Sequence, residues 1–450
     1  MFELETTLLV LLIITLLAAF GFEFVNGFHD TANAVATVIY TNSLPPVPAV
    51  VWSGFCNMMG VMLGGVGVAM GIVELLPPDL QIGLGAKEGV LMVMALLTSA
   101  ILWNLGTWYY GIPCSSSHTL IGSIVGVGLA YSMLPNQAFG SGVNWGKAGE
   151  IGLSLLISPL IGFTLSALLL IITKKIIKNP DLYREPQKGK RPPTWIRVVL
   201  FLTCTGVSFA HGNNDGQKGV GLVMLILIFS LPTIYAINLE SENYKKLPAL
   251  VQTIEGGIKD AQVAIPPTQI AILNNSIANL KNLLVDNNKE NTKLLRVEIS
   301  NIVKALKSAK NQTTDLKVAG EQIQSTIHYS PFWVVLAISL CLGMGTMIGY
   351  KRIVVTIGEK IGKTHMTYSQ GAAAELIAAG TIALSSAYSV PVSTTQVLSS
   401  GVAGTMLAND GKQNLQMGTI RSIFLAWVLT FPVTVVISGV CFFLYRFLFL

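Results

Sequence analysis

Charge is what this sequence has least of. Only 12% of its 450 residues are Asp, Glu, Lys or Arg, about half of the ~25% of a soluble domain, while 52% are hydrophobic and mean hydropathy is +0.61. That shortage excludes a soluble globular chain and a disordered one. Cysteine is also scarce. Cys56, Cys114, Cys204, Cys341 and Cys441 are odd in number, lie in or beside apolar runs and form no CxxC pair, which argues against a disulfide framework or a zinc site. They read as small packing residues, and neither a bound metal nor an organic cofactor is expected. The net charge of +6 does not make a nucleic-acid face, because the excess is local: Lys174 to Arg197 holds eight basic and two acidic residues. Such a loop is held on the cytoplasmic side of a membrane.

What the chain has instead is long apolar runs, near residues 5–28, 48–76, 88–110, 116–134, 148–172, 197–237 with an interruption, 331–350, 367–389, 393–408 and 419–449. A bilayer crossing takes roughly 20 such residues, so the expectation is an all-α polytopic membrane protein with about 10–12 membrane segments, some of them re-entrant. The first run resembles a secretory signal, but Glu3 and Glu5 precede it and no convincing cleavage site follows, so it reads as a retained span.

The sequence repeats itself. "GFHDTANAVA" from Gly27 aligns with "GNNDGQKGVG" from Gly212, placing Asp30 on Asp215. "IPCSSSHTLIGSIVG" from Ile112 aligns with "VPVSTTQVLSSGVAG" from Val390, placing Pro113 on Pro391. The longer spacing in the second half is accounted for by one polar stretch, Glu240 to His328, which holds 20 of the 52 charges. Within it Ile270, Leu273, Ile277, Leu280 and Leu284 recur at helical spacing, as do Leu295, Ile299, Ile302 and Leu306, predicting a small helical hairpin outside the membrane. The domain reading is a first membrane repeat (1–173), a basic cytoplasmic linker (174–197), the start of a second repeat (198–239), the polar insert (240–328) and the remainder of the second repeat (329–450). An odd number of crossings in the first half inverts the second. The basic loop Lys351–His365 fits that inversion and places both termini and the insert outside.

Inverted repeats with broken helices are how many secondary transporters build a site near the bilayer midplane. Ser115, Ser116 and Ser117 after Pro113, and Ser393, Thr394 and Thr395 after Pro391, each place hydroxyls before a small-residue helix. Hydroxyls favour helix N-caps, and two half-helix N-termini facing one another make an anion cradle. One Ser-rich run alone would read as close packing between membrane helices. Two in register, each after a proline, point to function.

Asp30 and Asp215 are harder to explain by packing, since a carboxylate at the centre of a span costs ~2.5–3.5 kcal/mol. They could bind a cation, accept a proton or neutralise a base. Asn33 shares a helical face with Asp30, and the matching position in the second half is Lys218. An ammonium in place of a neutral oxygen ligand repels a metal ion and favours proton coupling over bound sodium. His29, His118 and His211 lie in the same motifs and are candidate proton carriers or anion donors. Glu23 and Glu375 are further carboxylates in spans whose role the sequence leaves open. Cys114 and His118 could form a thiol–imidazole pair, but the repeat puts Val392 and Gln396 there, so no enzyme is expected. Nothing marks the insert as a receptor.

In these four motif copies, which together span nearly the whole chain, the sequence resembles the PiT family of inorganic phosphate transporters, most nearly its bacterial low-affinity, proton-coupled Pit branch. The resemblance implies symport of phosphate, or of a neutral divalent metal–phosphate complex, into the cell across the bacterial inner membrane, with the proton as coupling ion and sodium as the alternative. It implies that Ser115, Ser116, Ser117, Ser393, Thr394 and Thr395 contact phosphate and that Asp30, Asn33, Asn214 and Asp215 form the coupling site. The sequence departs from the family pattern at Gln396, where histidine is usual, and Lys218 is the residue of the proton-coupled branch. A permease for another tetrahedral oxyanion such as sulfate is the alternative substrate reading. Partners are then phosphate and the lipid bilayer, and a homo-oligomer is compatible.

Overall fold

The computed structural model describes residues 5–187, 190–259, 263–286 and 288–450, with the side chains of residues 31–33, 81–82 and 289 outside that description. Among the described residues it is built of helices, with two isolated bridges, Ala264 to Lys310 and Gly362 to Leu415, as the strand-like features.

Among the described residues, six helices are long and apolar enough to cross a bilayer: Thr6–Tyr40, Pro46–Leu63, Ala86–Tyr109, Trp145–Ile176, Thr194–Ser230 and Met417–Phe449. Phe332–Met347 and Lys351–Glu359 form a seventh if counted together, bent by 63°. Gly349 makes that bend with φ +75°, and a Cβ there would meet the Phe28 ring at 2.9 Å. Ser116–Ser132 and Thr394–Asp410 are 17 residues each. At 1.5 Å per residue they are ~25 Å long, short of a ~30 Å hydrocarbon core, as suits segments that re-enter. The apolar run at 48–76 is two helices, Pro46–Leu63 and Gly67–Val73, because the Gly-Gly pair at 64–65 interrupts the ladder.

By contact density the chain forms two compact units. One comprises residues 13–75, 91–223 and 332–450. Its hairpin helices exchange partners between the halves: Ser116–Ser132 packs on Met417–Phe449, and Thr394–Asp410 packs on Trp145–Ile176. Small residues permit this. A Cβ at Gly126 would run into the Val435 carbonyl, and one at Gly404 into the Phe163 carbonyl. Trp145–Ile176 and Met417–Phe449 bury only 28% and 22% of their most apolar windows, against 67% for Ala86–Tyr109. Their exposed Leu156, Leu160, Phe424 and Val436 are therefore lipid-facing, and Ala86–Tyr109 is a core helix.

The other unit comprises residues 1–12, 76–90 and 224–331. The two periodic segments are the helices Pro267–Asp286 and Thr292–Lys307, packed on one another as a hairpin would be. They do not stand alone. Leu247–Gly257 and Thr314–Ser325 close a shared core that includes Leu250, Ile254, Leu273, Leu280, Ile299, Leu306, Leu316 and Ile323. Two amphipathic helices enclose too little volume to hide both stripes, and each Leu or Ile fully buried is worth ~1.5–3 kcal/mol, so four helices form where two were expected.

Candidate functional site

The first half's aspartate rides on an unbroken helix, and the second half's does not. Gly212–Gly216, "GNNDG", is a π-helical turn joining Thr194–His211 to Gln217–Ser230, so one extra residue is wound in where Asp215 sits. Such insertions recur at functional sites. Gly212 has no alternative there, because a Cβ would overlap the backbone of Asn57.

Ser115 and Ser393 cap the two hairpin helices. Ser115 Oγ accepts from His118 N at 3.1 Å and Ser393 Oγ from Gln396 N at 3.2 Å. That use of the first hydroxyl leaves the next two in each hairpin to face inward. Ser116 Oγ donates to Asp30 Oδ2 at 2.8 Å and Thr395 Oγ1 to Asp30 Oδ1 at 2.5 Å. Thr394 Oγ1 donates to Asp215 Oδ2 at 2.9 Å. Ser117 instead meets Lys218, whose ammonium donates to its Oγ at 2.5 Å, to the Val392 carbonyl at 3.0 Å and to Asp215 Oδ1. All of these side chains are buried.

His211 stands between the carboxylates, with Nε2 3.1 Å from Asp215 Oδ2 and 3.7 Å from Asp30 Oδ2. Only the distances are those of an ion pair; the geometry does not make a hydrogen bond to either oxygen. Its Nδ1 pairs with Asn57 Oδ1 at 3.0 Å, and Asn57 Nδ2 donates to Thr346 at 2.9 Å. Ligand atoms of Asp30, His211 and Asp215 lie within 4.8 Å of one another, close enough to share a proton or one cation.

The remaining expected residues take other places. Asn214 Nδ2 donates to Ser385, Ser386 and the Val390 carbonyl, and its Oδ1 accepts from Val392 N, so it ties down the second hairpin loop. His29 Nδ1 lies 3.3 Å from Asp30, and its Nε2 faces Thr107 and Cys114, each at 3.5 Å. The imidazole near Cys114 is thus His29, while His118 turns to Ser115 at 2.8 Å. Asn33's side chain lies outside the described residues.

Sequence reading missed three participants. The Val392 carbonyl leaves no trace in residue type. Asn57 and Asn104 do, as lone amides inside apolar runs, and Asn104 Oδ1 accepts from Cys114 at 3.8 Å. Glu375 is buried apart from the cradle, bonded by Thr37 on one oxygen and by Thr203 on the other at 2.5 Å.

Comparison with known proteins identifies the family. Residues 26–438 match the model of the phosphate transporter family. The low-affinity inorganic phosphate transporters PitB and PitA of Escherichia coli are 39% and 40% identical, over 96% and 97% of this chain and 95% and 96% of theirs. A probable low-affinity inorganic phosphate transporter of Bacillus subtilis is 27% identical over 98% of this chain and 99% of its own. Among solved structures, the sodium-dependent phosphate transporter superposes with a TM-score of 0.58 at 19% identity, covering 98% of this chain and 100% of that one, which shows a shared fold. With a family match across most of its length and full-length relatives near 40% identity, this multi-pass cell-membrane chain belongs to the phosphate transporter family and to no enzyme family.

Proposed function

We propose that the protein imports inorganic phosphate by proton-coupled symport, with the two hairpins and two aspartates as its site. One observation carries the reading: the hydroxyls suited to grip an anion, those of Ser116, Thr394 and Thr395, are donated to Asp30 and Asp215. A carboxylate and a phosphate compete for the same donors. Protonating the aspartate–histidine cluster weakens its hold on those hydroxyls and removes the negative charge that repels the anion, so proton and phosphate load together. Lys218 supplies fixed positive charge beside Ser117, where a sodium ion would otherwise be held.

Phosphate would then lie between the N-termini of Ser116–Ser132 and Thr394–Asp410, whose free N–H groups favour anions. A divalent ion arriving as part of a neutral metal–phosphate cargo would face Asp30, His211 and Asp215, which have the donor atoms for it. Alternating access follows if the two halves are inverted repeats exchanging the open side. Uptake of labelled phosphate into proteoliposomes under imposed proton or sodium gradients tests the reading. Accumulation driven by sodium alone overturns the coupling, and sulfate displacing phosphate overturns the substrate.

A further inference from the structure

Glu23 lies two turns before Asp30 on Thr6–Tyr40, wholly buried and outside the hydroxyl cradle. Its carboxyl group rests on the bare Cα of Gly219, where an added Cβ would overlap it. Glu23 Oε2 accepts from Asn26 Nδ2 at 3.4 Å. Glu23 Oε1 and Asn26 Oδ1 have no hydrogen-bond partner among the described residues.

Two orphan acceptors one helical turn apart, on side chains already joined by their other ends, are completed by a single proton. Placed on Glu23 Oε1, it donates to Asn26 Oδ1 while Asn26 Nδ2 donates to Oε2, and acid and carboxamide close a two-bond ring. A metal ion fits less well, because hard cations gather about six oxygens and only two are free here. Lys218 is in electrostatic range, but its ammonium is engaged by Asp215, Ser117 and the Val392 carbonyl. The other titratable groups in electrostatic range are His211 and Asp215 on the second half's opening helix and Cys341 on Phe332–Met347; His29 and Asp30 follow on its own helix.

We propose that Glu23 carries a proton held by Asn26, and that this pair is a proton-coupling site distinct from the hydroxyl cradle. Loading forms an O–H bond at Oε1 with a proton from water. Release returns that proton and leaves the electron pair on the carboxylate. The coupling role rests on the proton-symport reading above, whereas the presence of the proton does not.

Infrared spectroscopy of the full-length protein in liposomes, together with phosphate flux, tests the proposal. A protonated-carboxyl C=O band that disappears in Glu23→Gln is expected, with proton-driven phosphate accumulation lost and phosphate counterflow exchange retained. Asn26→Ala provides a second variant, in which the same band shifts as its amide partner is removed. An unchanged band in both variants overturns the protonated state. A band assigned to Glu23 with wild-type proton-driven accumulation in Glu23→Gln overturns the coupling role. If the wild-type protein shows no proton drive, the symport reading fails and the coupling role with it, while the band still decides the protonation.

Discussion

Thr395 donates its hydroxyl to Asp30 at 2.5 Å across 365 positions of sequence, while the preceding Thr394 donates to Asp215 in its own half. In the first hairpin the matching residues divide the same way: Ser116 serves Asp30, and Ser117 turns to the opposite half, where it meets Lys218 and not the aspartate itself. The lysine is where the twofold pattern breaks.

Removing the cross-half bond should therefore be costly. Thr395→Val deletes a hydroxyl donor to a buried carboxylate, a bond worth about 1.5–3 kcal/mol, and initial phosphate uptake is expected to fall roughly 10- to 100-fold. Thr395→Ser, which keeps the donor, should retain most of the rate. Equal loss in both variants would mean that shape and not the hydrogen bond matters.

Asp30→Asn and Asp215→Asn preserve volume and remove the charge. Each is expected to abolish gradient-driven uptake while normal amounts of protein reach the membrane. Near-normal accumulation by either variant in proteoliposomes would remove that aspartate from the coupling site.

Lys218→Asn tests the asymmetry itself. With the ammonium gone, the Asp215 side matches the first half, where asparagine stands at position 33. Uptake is expected to gain dependence on an imposed sodium gradient and lose dependence on protons. An unaltered ion preference would show that the lysine does not select the ion.

Gly212→Ala addresses stability. The new Cβ would meet the Asn57 backbone, which cannot swing aside as a side-chain end could. Overpacking of this kind costs about 1–3 kcal/mol. The melting temperature of the purified protein in detergent should fall, and a wild-type value would show that the π-helical turn absorbs the methyl.

Arg296 anchors the insert, with Nη1 donating to the Ala236 and Ile327 carbonyls at 2.9 Å each. Arg296→Met leaves both carbonyls short of a buried donor, at about 1–3 kcal/mol apiece. Faster limited proteolysis within 240–328 is expected. Cleavage at the wild-type rate would assign the insert's stability to its apolar core alone.

Much of the site is legible in the sequence because it is written twice. Pairing Pro113 with Pro391 and Asp30 with Asp215 picks out hairpins and carboxylates that the structure brings within hydrogen-bond distance. Helix capping is local, so the division of labour between Ser115 or Ser393 and the hydroxyls that follow could have been inferred from position. Which hydroxyl meets which aspartate is settled by packing between halves hundreds of residues apart. For the same reason no motif distinguishes His211, between the carboxylates, from His118, bonded to its own cap. The insert's periodicity locates two helices, but the need for two more follows from the volume of a closed core, which no single amphipathic stripe records.

The exchange of hairpin helices also has a consequence for biogenesis. Ser116–Ser132 packs most extensively on Met417–Phe449, which lies in the other half of the chain and is made long after it. Chains are made from the N-terminus at about 5–20 residues per second, so the first hairpin waits tens of seconds for the surface it will rest on. Lys218 is made in the meantime, but Thr394 and Thr395 come only shortly before that helix, so the cradle is incomplete for most of the wait. Assembly of the site therefore waits on the second hairpin and the long helix that follows it.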